Sequence, residues 1–156
     1  MKLRRISRAA GLAVGVLTAW AAATAPASAA TVNWKEIHPN SNWTCGKTVQ
    51  HATYPGVGFQ VCWIGNANDD AQAVLVVNNN GPKGVNIRAS VVVELGPSFD
   101  CAASVLNPGF TRGCFGSTNP MGCDTVYDTT AYLDVNGSTK TATLAMVRAC
   151  WEARRG

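Results

Sequence analysis

From Cys45 to Trp151 the chain alternates short apolar stretches with turn residues and holds no helical period. Residues 85–95 put Val85, Ile87, Ala89, Val91 and Val93 at every second position, the period of a half-buried strand. Residues 57–64 do the same with Val57, Phe59, Val61 and Trp63, leaving Cys62 and Ile64 for the opposite face. Residues 73–77 form a continuous apolar run, the mark of a strand buried on both faces. Further strands are expected over residues 48–54, 99–106, 110–115, 125–135 and 139–151. Turn chemistry separates them: Pro55-Gly56, the Asn- and Gly-rich residues 78–84, Gly96-Pro97 and Asn107-Pro108-Gly109. Asn136-Gly137 supplies the two positive-φ residues of a type I′ hairpin. Residues 65–70 and 116–122 read as loops. The pattern predicts an all-β sandwich of about eight short strands in Greek-key order, with a small β-barrel as the alternative.

The six cysteines, Cys45, Cys62, Cys101, Cys114, Cys123 and Cys150, are even in number and all lie beyond residue 44. In an oxidising compartment an even count implies three disulfides. Spacing alone leaves the pairing open; joining neighbouring segments gives Cys45 with Cys62, Cys101 with Cys114 and Cys123 with Cys150. A zinc site needs closer pairs, such as Cys-x2-Cys. The nearest pair here is Cys114 and Cys123, so no metal is expected.

The N-terminus supplies the oxidising context. Lys2, Arg4, Arg5 and Arg8 precede an uncharged apolar stretch reaching about Ala25, and Ala27-Ser28-Ala29 is a small-x-small cleavage site. This is the layout of a secretory signal over residues 1–30, and its apolar stretch, Ala9 to about Ala25, is shorter than the roughly 20 apolar residues of a membrane span. Arg4-Arg5 leaves the general secretory and twin-arginine routes both open. The expected mature chain, 31–156, is one domain, with 31–44 as an N-terminal arm, irregular or a short edge strand leading to Cys45. The chain carries 13 Lys and Arg against 9 Asp and Glu. The four N-terminal cations account for the whole excess, so the exported body is neutral. A neutral body argues against nucleic acid and against an anionic membrane surface as partners.

Two segments carry a resemblance. Ala73-Val74-Leu75-Val76-Val77-Asn78-Asn79 followed later by Leu106-Asn107-Pro108-Gly109 resembles small secreted immunoglobulin-like β-sandwich domains of soil-dwelling Gram-positive bacteria, over about residues 45–151. In such domains an apolar strand ends in Asn and a Leu-x-Pro-Gly turn precedes another strand. The resemblance implies an immunoglobulin-like fold and an extracellular location.

Catalytic chemistry finds little to stand on. No Ser sits in a Gly-x-Ser-x-Gly frame, and the only histidines are His38 and His51. Asp124 and Asp128, if extended on one strand face, stand roughly 13 Å apart, too far for a glycosidase pair. Asn66, Asn68 and Asp70 have the alternate spacing of a calcium loop. The central Gly is absent, and Val77 stands where the bidentate Glu is needed. No cofactor is expected.

The aromatic residues point instead to binding. Exposed Trp and Tyr on a sandwich can stack on sugar rings. Trp34 and Trp43 lie in polar surroundings, where they either cap the sandwich or, with Tyr54, form the expected binding surface, whereas Trp63 and Trp151, each beside a cysteine, read as core. The expectation is a secreted, non-catalytic binding protein that contacts cell-wall or polysaccharide surfaces. The alternative is an extracellular protease inhibitor acting through Asn119, Pro120, Met121 and Gly122, in the segment between Cys114 and Cys123. Pro120-Met121 with Val126-Tyr127-Asp128 is loosely similar to the reactive region of the bacterial subtilisin-inhibitor family. In that family Cys directly precedes Pro-Met and Val-Tyr-Asp directly follows; here Cys123 comes after and the pieces are separated.

Overall fold

The computed structural model describes residues 29–147. Ten strands run through them: β1 (Ala30–Val32), β2 (Trp43–Cys45), β3 (Val49–Gln50), β4 (Val57–Gly65), β5 (Asp70–Asn79), β6 (Val85–Val93), β7 (Phe99–Leu106), β8 (Thr111–Pro120), β9 (Val126–Val135) and β10 (Ser138–Val147). They form two sheets. The first has the order β1-β7-β6-β9-β10; the second has the order β2-β4-β5-β8, with β3 also paired to β4. The chain passes from the second sheet to the first between β5 and β6 and again between β8 and β9, having returned between β7 and β8. Pairing β5 with β8 and β6 with β9 interlocks the two crossings, which is the Greek-key arrangement of the immunoglobulin-like sandwich. The sheets stay separate rather than closing into a barrel.

Sequence periodicity accounts for the packing. Val85, Ile87, Ala89, Val91 and Val93 of β6 are all buried while their alternate neighbours are exposed. Val57, Phe59, Val61 and Trp63 of β4 meet them from the other sheet. Asn136 and Gly137 take φ of 48° and 87° and bring β9 and β10 together as a hairpin, with Ser138 opposite Val135.

The continuous apolar run of β5 is buried on both sides. Ala73, Leu75 and Val77 join the inter-sheet core. Val74 and Val76 lie with Cys62 in a second cluster on the outer face of the second sheet, covered by Ile37, Trp43, Ile64 and Phe115. The N-terminal arm therefore shields that outer face. The outer face of the first sheet has no such cover among the described residues.

Two disulfides match the expected pairing. Cys45–Cys62 ties β2 to β4 within one sheet, and Cys101–Cys114 ties β7 to β8 across the sandwich. Cys123 is also disulfide-bonded; its expected partner, Cys150, lies outside the described residues, as do the expected signal segment up to Ser28 and Trp151.

Three local expectations are corrected. Ten strands replace about eight, because the arm contributes β1 and β2 at its ends. The strand expected over 48–54 shrinks to β3. His51 N–H donates to Val57 O at 2.8 Å and Val57 N–H to Tyr54 O at 3.0 Å, so the chain is already turning before Gly56 takes its φ of 94°. The loop expected over 116–122 is instead largely strand, since β8 runs on to Pro120 beside Asp70. Gly116 reads as turn chemistry, yet its role is steric. A Cβ there would stand 2.5 Å from Cε1 of the buried Phe99 ring.

Candidate functional site

The uncovered face of the first sheet carries a recess. It is a groove of about 440 Å³ whose lining includes Arg88, Ser90, Asp100, Tyr132, Asp134 and Thr139. Cross-strand register explains why these residues meet. Paired residues on adjacent strands project to the same side. Thr31, Asp100, Ser90, Tyr132 and Thr141 lie opposite one another in turn across β1, β7, β6, β9 and β10. A second row, Arg88, Asp134 and Thr139, lies beside it.

Depth comes from a bulge. The β6–β7 register shifts between Ile87 and Ala89, so the small Ala102 and Ala103 stand opposite Arg88 and leave the groove open. Its wall is braced from behind. Trp34 Nε1–H donates to Ala102 O at 2.7 Å, and the Trp34 ring packs on the core.

The chemistry of the face is mixed. Tyr132 is 43% exposed, one of the few large apolar side chains left in solvent. Around it stand hydroxyls of Ser90, Thr139 and Thr141. Arg88 Nε lies 3.7 Å from Asp134 Oδ1. Asp134 Oδ1 also accepts from Gly137 N–H at 3.0 Å, and Oδ2 from Thr139 Oγ1 at 3.4 Å. A surface ion pair of this kind adds little to stability, about 0–1 kcal/mol. Its consequence is to place a guanidinium and a hydrogen-bonded carboxylate on the same face as an aromatic ring. Such a surface can stack on an apolar ring face and exchange hydrogen bonds with polyhydroxylated edges. Among the described residues no three His, Cys, Asp or Glu side chains gather where they could hold a metal ion.

The aromatic residues singled out in the sequence do not converge. Trp43 stacks edge-on against Phe115 at 6.0 Å and 86° on the far face of the sandwich, opposite Ile64 in β4. Tyr54 lies past the other end of β4, against His51 at 5.4 Å, in a separate recess of about 180 Å³ with Pro55, Pro82 and Lys83. Between Val57 and Ile64 the strand spans roughly 23 Å. Trp34 braces the groove from behind. All three side chains are half-buried.

Residues 119–122 do not project as a loop. Asn119 pairs with Ala71 in the sheet, and its Nδ2 donates to Leu95 O at 3.3 Å and Ser117 O at 3.0 Å. Pro120 pairs with Asp70. Met121 packs on the core and its N–H donates to Asp69 O at 3.0 Å. Gly122 N–H donates to Tyr127 OH at 2.9 Å.

His51, which the sequence places in a strand, is buried, with Nε2 3.0 Å from Ser138 O. His38 is exposed in the arm. Sequence reasoning missed Arg88, Ser90, Asp100, Tyr132 and Asp134. Alternation marked Arg88 and Ser90 as outward-facing, but nothing in a linear reading brings β9 beside β6.

In comparisons with known proteins, no family model and no curated protein matches the chain.

Proposed function

We propose that the protein is a secreted, non-catalytic binding protein that engages polysaccharide through the open face of its first sheet. The observation that carries the reading is the groove around Tyr132, an exposed aromatic ring set among hydroxyls and a guanidinium–carboxylate pair. Tyr132 stacks on a sugar ring, while Ser90, Thr139 and Arg88 exchange hydrogen bonds with its hydroxyls. The groove is shallow and lies on a rigid sheet, so a linear polymer can lie across it without rearranging the protein.

Export is part of the same reading. The basic and apolar N-terminal sequence, the disulfides and the neutral body support it. Among the described residues no helix is long and apolar enough to cross a membrane.

The test is depletion of the exported protein from solution by insoluble chitin, cellulose and cell wall, with Tyr132→Ala as the comparison. Retention of the wild type on one of them, lost in the variant, is expected. Absence of depletion by all three, with tyrosine and tryptophan fluorescence unmoved by soluble fragments, would remove the reading. The groove is favoured over the protease-inhibitor alternative because Asn119 and Pro120 pair into the sheet and Met121 packs on the core.

A further inference from the structure

We propose that the groove selects glycans bearing a free, positively charged amine, and that Asp100 is the residue that reads it. This rests on the polysaccharide reading above and names the ligand class within it.

Two carboxylates line the groove, and they are in different states. Asp134 is engaged by Arg88, Gly137 and Thr139. Asp100 is half-buried and has no hydrogen-bond or ion-pair partner among the described residues. It stands between Thr31 and Ser90 on the groove floor. Arg88 and Asp134 offset each other's charge, so Asp100 leaves the groove with one uncompensated negative charge. A carboxylate with no partner of its own can take a cation without first giving up an existing ion pair. A cation brought to it offsets the one uncompensated charge of the groove, which makes the site selective by charge.

The ligand's geometry follows from the sheet. Asp100 and Tyr132 lie in the same cross-strand row with β6 between them. Two strand spacings place their backbones roughly 10 Å apart. A sugar stacked on Tyr132 therefore directs the rest of its chain over Ser90 to Asp100. An ammonium group on that neighbouring unit donates a charge-assisted hydrogen bond to the Asp100 carboxylate and further ones to the Ser90 and Thr31 hydroxyls. An acetylated amine has one N–H and no charge, so it offers Asp100 one neutral donor and leaves its charge uncompensated. A carboxylated glycan meets repulsion.

The probe is a pair of polymers differing only at nitrogen: polyglucosamine and its N-acetylated form, compared at mildly acidic pH. The wild type is expected to bind polyglucosamine roughly tenfold more tightly at low salt. That advantage shrinks as salt screens the ion pair. Asp100→Asn, nearly isosteric, erases the preference while retaining binding to the acetylated polymer; Asp100→Ser does the same. Tyr132→Ala weakens binding to both. Equal binding of the two polymers by the wild type overturns the proposal, as does a preference that survives both Asp100 substitutions in folded protein. Binding of the acetylated polymer alone overturns it while leaving the polysaccharide reading intact. Binding of neither overturns both.

Discussion

Asn79 and Leu106, the residues that carry the sequence's resemblance to secreted sandwich domains, are bonded to each other: Asn79 Nδ2 donates to Leu106 O at 2.9 Å. The same amide donates to Lys83 O at 2.8 Å, and Oδ1 accepts from Gly81 N–H at 2.9 Å. The Asn79 backbone joins the following turn, accepting from Gly109 N–H and donating to Phe110 O. One buried side chain thus holds the end of β5, the 80–84 turn and the end of β7. An apolar strand ending in Asn and a later Leu-Asn-Pro-Gly turn are therefore two halves of one joint.

Asn79→Ala removes three hydrogen bonds and leaves buried partners unsatisfied. The expected cost is about 3 kcal/mol. Asn79→Asp is also expected to destabilise, because a carboxylate cannot donate to the two carbonyls. The check is denaturant unfolding, with a lower midpoint at an unchanged slope.

Trp43 distinguishes a structural aromatic from a binding one. Its ring covers Phe115 and the Val74–Val76 cluster on the face away from the groove. Trp43→Ala is expected to cost about 2 kcal/mol, less than a fully buried Trp, and to leave polysaccharide retention unchanged. Loss of retention with the fold intact would return the site to the aromatic residues first expected from sequence.

The strand pattern was readable from the chain because side-chain alternation is local. β6 and β9 each announce their buried face, and Asn136-Gly137 announces the turn between β9 and β10 without any knowledge of neighbours. The site was not readable because it depends on register between distant strands. Arg88 meets Asp134 only because β9 lies beside β6, and no local period encodes that pairing. Gly116 misled for a related reason. A glycine that makes room for Phe99 looks, in sequence, the same as one that makes a turn.

Gly116→Ala tests this steric account. The new methyl enters space held by Phe99 Cε1 and Cδ1, and Phe99 is 3% exposed. Overpacking of this kind costs about 1–3 kcal/mol. Restoration by the double change Gly116→Ala with Phe99→Leu, measured as a thermodynamic cycle, is the expected signature of a direct clash.

Mass mapping of a non-reduced digest is expected to return Cys45–Cys62, Cys101–Cys114 and Cys123 joined to Cys150, with no free thiol. Reduction of Cys101–Cys114 releases the link between the two sheets. Its loss is expected to cost about 3 kcal/mol, as the chain-entropy model gives for a loop of this size.

The account places binding on one sheet face, so the most direct measurement is a map of where a ligand lands. Backbone amide shifts recorded during titration with soluble glucosamine oligomers report this residue by residue. The predicted result is a contiguous set of perturbations at Arg88, Ser90, Asp100, Tyr132 and Thr141, with residues around Trp43, Tyr54 and Pro120 unmoved. Perturbations centred on Trp43, on Tyr54 or on residues 119–122, or none anywhere at saturating oligomer, would contradict it.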